Sequence, residues 1–159
     1  MMELLIRDEK QVTDILEKMF QFRDGYVLEY GSCPKDVLIK DFVKILDNLK
    51  NPAMNQCDIS MEFINLGSMV IKLMDIEGTI LDESTFAKFL LNKHQKYGTE
   101  PLISCGSIGI IFRIISKIGR FINMQQSENL ATGPDEEDTL MDILGYSILG
   151  FQLERRIHV

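Results

Sequence analysis

The sequence predicts a mainly α, bundle-like helical domain on two observations: apolar residues recur three and four apart along most of the chain, and runs of alternating β-branched residues are few. A first amphipathic segment, 8–22, sets Val12, Ile15, Leu16 and Met19 on one face. After Gly25 the short run YVLEY at 26–30 is the best strand candidate, so a small β element is expected there. Pro34 stands where a first-turn proline is tolerated, ahead of Val37, Leu38, Phe42, Ile45, Leu46 and Leu49 at helical spacing. That pattern stops at Asn51-Pro52. Segment 58–77 resumes the apolar period and ends at Gly78. Helices are then expected over 82–97, 107–124 and 135–154. They are separated by a loop carrying Gly98 and Pro101 and by a polar stretch, 124–133, that ends in Gly-Pro and could act as a lid. The chain therefore reads as a helical region 1–80 of unidentified role and a second helical region 81–159, together one compact domain.

With 159 residues, 45% hydrophobic and 26% charged, the chain can bury a sizeable core. A net charge of −7 repels polyanions, which disfavours general nucleic-acid binding and electrostatic attachment to an anionic membrane, but leaves room for a small anion in a locally basic pocket. Cys33, Cys57 and Cys105 are odd in number and widely spaced, arguing for reduced thiols in a cytoplasmic protein rather than a disulfide framework or zinc ribbon. The acids Glu3, Asp8 and Glu9 do not suit a secretory leader, and no stretch approaches the roughly 18 apolar residues of a membrane span.

Charge is segregated in the second half. Between residues 84 and 134 six bases (Lys88, Lys93, Lys96, Arg113, Lys117, Arg120) face two acids (Glu100, Glu128), and then Asp135, Glu136, Glu137, Asp138 and Asp142 put five acids in eight positions. On the helix expected over 107–124, Arg113, Lys117, Arg120 and Met124 form one stripe with Ser116 and Asn123 at its edge, opposite Ile111, Ile114, Ile115, Ile118 and Ile122. Such a stripe could clamp phosphates, since guanidinium groups bind phosphate oxygens bidentately; alternatively it is a solvated face. On the last helix Asp138, Asp142 and Tyr146 share a face, and acids one turn apart can share Mg²⁺. Two other readings stand beside this one. The first acids suit the positive end of the helix dipole, and Asp138 with Asp142 could pair with the neighbouring basic stripe.

Weaker candidates have bland explanations. His94 lacks a partner at ligand spacing and His158 is terminal; Cys105 has no nucleophile motif around it; 106–109 lacks phosphate-loop spacing; and nine Met residues suit core gap-filling.

Taken in order, FLLNKHQKYG, GSIGIIFRIISKIGRFINM and EDTLMDILGYSILG, within 89–150, resemble the first nucleotide-modification-associated domain family common in phage genomes. The positions carrying the resemblance are Lys93, Tyr97 and Gly98, then Arg113, Lys117, Arg120 and Asn123, then Glu137, Asp138, Asp142 and Tyr146. It implies an all-α, nucleotide-directed protein, more distantly similar to the MazG-type enzymes that use helical carboxylates and Mg²⁺ to split a deoxynucleoside triphosphate into monophosphate and pyrophosphate. On that implication Lys93, Arg113, Lys117, Arg120 and Asn123 hold phosphates, Tyr97 and Tyr146 hold the nucleotide, and Glu137, Asp138 and Asp142 hold Mg²⁺, the last two as catalytic carboxylates. The chain departs from the MazG pattern in having DxxxD on the late helix and no EExxE before it.

Two functions of different class follow, a Mg²⁺-dependent pyrophosphohydrolase and a non-catalytic protein that sequesters a nucleotide or nucleotide-derived signal, with a protein-interaction module as a third. A homo-oligomer is also expected, because the last helix is apolar around most of its circumference and a small domain has few elements with which to cover it; the alternative is that the N-terminal half caps this helix and leaves a monomer.

Overall fold

The computed structural model describes residues 5–25, 34–97, 105–126 and 134–157. Among them the protein is mainly α, with seven helices and no strand: α1 Glu9–Gly25, α2 Pro34–Lys50, α3 Pro52–Asn55, α4 Ile59–Ile76, α5 Glu83–Tyr97, α6 Ser107–Gln126 and α7 Pro134–Ile157. The strand candidate at 26–30 lies outside the described residues, as does 127–133 of the polar stretch expected over 124–133, whose first three residues instead continue α6 to Gln126.

The helix ends follow local chemistry. Pro34 opens α2, where its missing N–H would have no intrahelical partner. Asp58 caps α4, its carboxylate accepting from the Ser60 backbone N–H at 3.0 Å. After α4 the chain turns at Gly78, whose φ of 82° favours a residue without Cβ. The short α3, absent from the sequence reading, begins at Pro52 and ends one residue before Gln56, which adopts a left-handed conformation with φ 52°.

Helix α7 is the axis of the fold. Leu140, Ile143, Leu144, Ile148, Leu149, Phe151 and Leu153 on it are all buried, and it packs most extensively on α4, then on α6, with a smaller contact to α1. The apolar circumference expected to seek another subunit is thus covered within the chain, largely by the N-terminal half. Small residues make the approach close. A methyl group added at Gly150 would stand 2.5 Å from ring carbons of the fully buried Phe63 on α4, and one at Gly67 of α4 would run into the Met19 thioether of α1. Helices α2 and α6 meet through an edge-to-face pair, Phe42 with Phe121, at 6.1 Å. No helix among the described residues is long and apolar enough to cross a membrane.

Helices α6 and α7 run antiparallel, as three contacts along their length record. Ser107 donates to the Glu154 carboxylate at one end, Lys117 meets Asp142 at 2.8 Å near the middle, and Gln125 donates to Glu136 at 3.0 Å at the other. On α5, His94 is 3% exposed and its Nε2 accepts the Leu5 backbone N–H at 3.1 Å, fastening the segment whose Leu5 and Ile6 side chains enter the core.

These contacts predict three effects on stability. Gly150→Ala must displace an aromatic ring that has no free space, so a cost of about 1–3 kcal/mol is expected, read as a lower thermal midpoint. Gly67→Ala should cost less, because the flexible Met19 side chain can move aside. Burial, followed by the charge of Arg156, lowers the His94 pKa below its ordinary value of 6.5, so the unfolded chain takes up the proton first. The stability this group contributes is present above pH 6.5 and is lost as pH falls from there toward the lowered folded value, at no more than about 1.4 kcal/mol per pH unit. Urea unfolding of wild type and His94→Gln between pH 7.5 and 5 should show the steeper loss in wild type.

Candidate functional site

The candidate residues converge where α5, α6 and α7 meet. Asp142 projects from α7 at a position flanked by Leu140, Ile143 and Leu144, all buried, and its own side chain is 18% exposed. A carboxylate so placed costs free energy unless it is paired. The pairing is double: Lys93 Nζ of α5 donates to Oδ1 at 3.0 Å and Lys117 Nζ of α6 approaches Oδ2 at 2.8 Å. Burial by itself would raise the Asp142 pKa, yet hydrogen bonds from Lys117 and Lys93, together with their charges, outweigh it and hold the carboxyl below the ordinary aspartate value. The cluster carries a net single positive charge, and each ammonium has three N–H donors, of which Asp142 occupies one.

The remaining cations extend this cluster along α6. Arg113 and Arg120 flank Lys117 at i−4 and i+3, and both are exposed, with no ion pair or hydrogen bond among the described residues. Asn123 is exposed one turn further on. Lys93, Lys117, Arg113, Arg120 and Asn123 therefore share the α5–α6 side of the molecule, although only Lys93 and Lys117 are joined through a common partner.

The acidic candidates do not assemble with Asp142. Glu137 and Asp138 are exposed, whereas Asp142 turns both oxygens to ammonium groups. Among the described residues no three His, Cys, Asp or Glu side chains gather into a group that could hold a metal ion. This donor set does not fit Mg²⁺, which needs hard oxygen ligands free to face it. The two tyrosines also part company: Tyr146 is half-buried and packs against the core, and the side chain of Tyr97 lies outside the described residues. His94 is a core histidine, Cys105 is exposed, and His158 and Cys33 lie outside the described residues.

Phe89 was not singled out by sequence. It lies one turn before Lys93, is 42% exposed, and carries the Lys93 ammonium 5.5 Å from its ring centroid. The only signal for it is the four-residue spacing to a lysine on a helix whose buried face is supplied by Phe86, Ala87 and Leu90.

The bridging role of Asp142 is testable by stability. Asp142→Asn should cost about 1–2 kcal/mol at pH 7, because two ammonium groups are left facing each other in a half-buried setting. In a Lys117→Met background, which removes that repulsion, the same change should cost measurably less; equal costs in both backgrounds would show that the pairing is not coupled. The carboxyl is held low, so its contribution is present above the ordinary aspartate pKa of 3.8 and is lost as pH falls from there through the depressed value.

Compared with protein-family models, with curated proteins and with solved structures, the chain finds no match in any of the three.

Proposed function

We propose that the protein binds the phosphate groups of a nucleotide or nucleotide-derived molecule and holds it without cleaving it. One observation carries this reading: two lysines from different helices share a single half-buried carboxylate, beside two exposed arginines on the same helical stripe. A fixed carboxylate between two ammonium groups sets their separation before any ligand arrives, which reduces the ordering cost of binding. Phosphate oxygens then receive the ammonium donors that Asp142 does not use, and Arg113 and Arg120 supply further bidentate contacts. The acidity of the whole chain favours a small anion over a nucleic-acid strand, because a long polyanion would also meet its repulsive field.

Calorimetry with each deoxynucleoside triphosphate tests the reading. Binding should persist in EDTA, the ligand should be recovered unaltered, and Arg113→Gln and Arg120→Gln should each weaken it about ten-fold while leaving the thermal midpoint unchanged. Release of pyrophosphate that needs Mg²⁺ and is abolished by Asp138→Asn would instead establish the hydrolase. Absence of binding to every nucleotide would overturn both.

A further inference from the structure

Resting on the phosphate-binding reading, we infer that Phe89 is the platform on which the ligand's base stacks, so that the site selects a phosphate carrying a planar ring over an inorganic polyphosphate. The argument begins with the position of the ring. Phe89 lies on α5 one helical turn before Lys93, and among the described residues large apolar side chains as exposed as this one, at 42%, are a minority. It leans on the buried Phe86, ring centroids 6.2 Å apart and planes at 43°, so the ring is held from behind by the core while one part of it stays open.

The chain of contacts from this ring to the phosphate grip is short. The Lys93 ammonium is 5.5 Å from the Phe89 centroid and 3.0 Å from Asp142 Oδ1, and Asp142 Oδ2 is 2.8 Å from the Lys117 ammonium. Ring, first cation, carboxylate and second cation thus follow one another across α5, α7 and α6. A molecule whose phosphates occupy the two ammonium groups has its non-phosphate part within reach of the aromatic ring. The cation over Phe89 also contributes. A phosphate competes for the Lys93 ammonium, and as the ammonium turns toward it, the ring face it covered becomes available to a nucleobase. The tyrosines named by the family resemblance are less suited: Tyr146 is packed against the core, whereas Phe89 is open beside the cations. Every base has a π-face, so such a platform recognises a nucleotide without choosing among bases.

Two variants and two ligands test this. Phe89→Leu keeps apolar bulk but removes the π-surface, and the chain contains no tryptophan, so Phe89→Trp creates a single fluorescent reporter at the platform. Wild type should bind deoxynucleoside triphosphates more tightly than inorganic triphosphate. Phe89→Leu should weaken the nucleotides about ten-fold and leave inorganic triphosphate unchanged. The fluorescence of Phe89→Trp should be quenched by nucleotide and not by inorganic triphosphate. If Phe89→Leu weakens both ligands equally, or neither, or if the tryptophan responds alike to both, the platform is refuted while the phosphate grip stands. If wild type binds neither ligand, the phosphate reading fails and this inference with it.

Discussion

A carboxylate on a helix packed against three others has to be neutralised, and much of the candidate site follows from that requirement. Helix α7 packs on α4, α6 and α1, with apolar side chains over most of its length, yet it carries Asp142 near its middle at 18% exposure. An ionised side chain there loses much of its hydration, and the loss is offset only by charge and hydrogen bonds from close partners. Lys93 and Lys117 provide these from two other helices. The same two bonds tie α5 and α6 to α7, so the cations gathered at the surface are placed by the core's need. A cluster of cations is then a by-product of burying an acid.

The rest of the fold concerns covering α7. Its glycines at 145 and 150 lie at buried positions where helices approach, Gly145 beside Leu90 of α5 and Gly150 beneath Phe63 of α4. Larger residues would push those helices outward and expose the apolar surface that α7 presents on several sides. The first half of the chain, which shows no chemistry of its own in its motifs, has this covering role: α4 lies along α7 and α1 packs on α4, with Val12, Ile15, Leu16 and Met19 buried as their spacing requires. Leu5 and Ile6 add to the core from ahead of α1, held by the Leu5 N–H bond to His94. Of the two expectations for this helix, an apolar side left for another subunit or a cap supplied by residues 1–80, the packing of α4 and α1 agrees with the second.

Six of the seven helices were legible from periodicity, because an apolar stripe at 3.6-residue spacing survives whatever packs against it, and their ends lie within a few residues of the signals at Pro34, Asp58 and Gly78. Helix α3 was not, since four residues are too few to display a period. At the site, the pairing of Asp142 with the basic stripe was one of the readings the charges allowed, and Lys117 fulfils it. The entry of Lys93 into the same cluster was not legible as a pairing, because 49 residues, including the whole of α6, separate it from Asp142 and no local rule encodes that distance. His94 was equally opaque: its partner is a backbone N–H 89 residues away, a group with no sequence signature at all.

The state of Asp142 also bears on what chemistry the cluster can support. A carboxylate that acts as a general base needs a pKa near the working pH, so that it can take and return a proton, and one that ligates a metal ion needs oxygens free to face it. Asp142 has neither in this arrangement, since two ammonium groups hold its pKa low and occupy both of its oxygens. It is ionised at neutral pH and a weak base, and its charge is already spoken for. The lysines, by contrast, each keep donors beyond the one given to Asp142, and Arg113 and Arg120 stand exposed on the same helix. The capacity left at this junction of three helices is therefore that of donors and positive charge, and the proposed anion-binding role rests on that capacity.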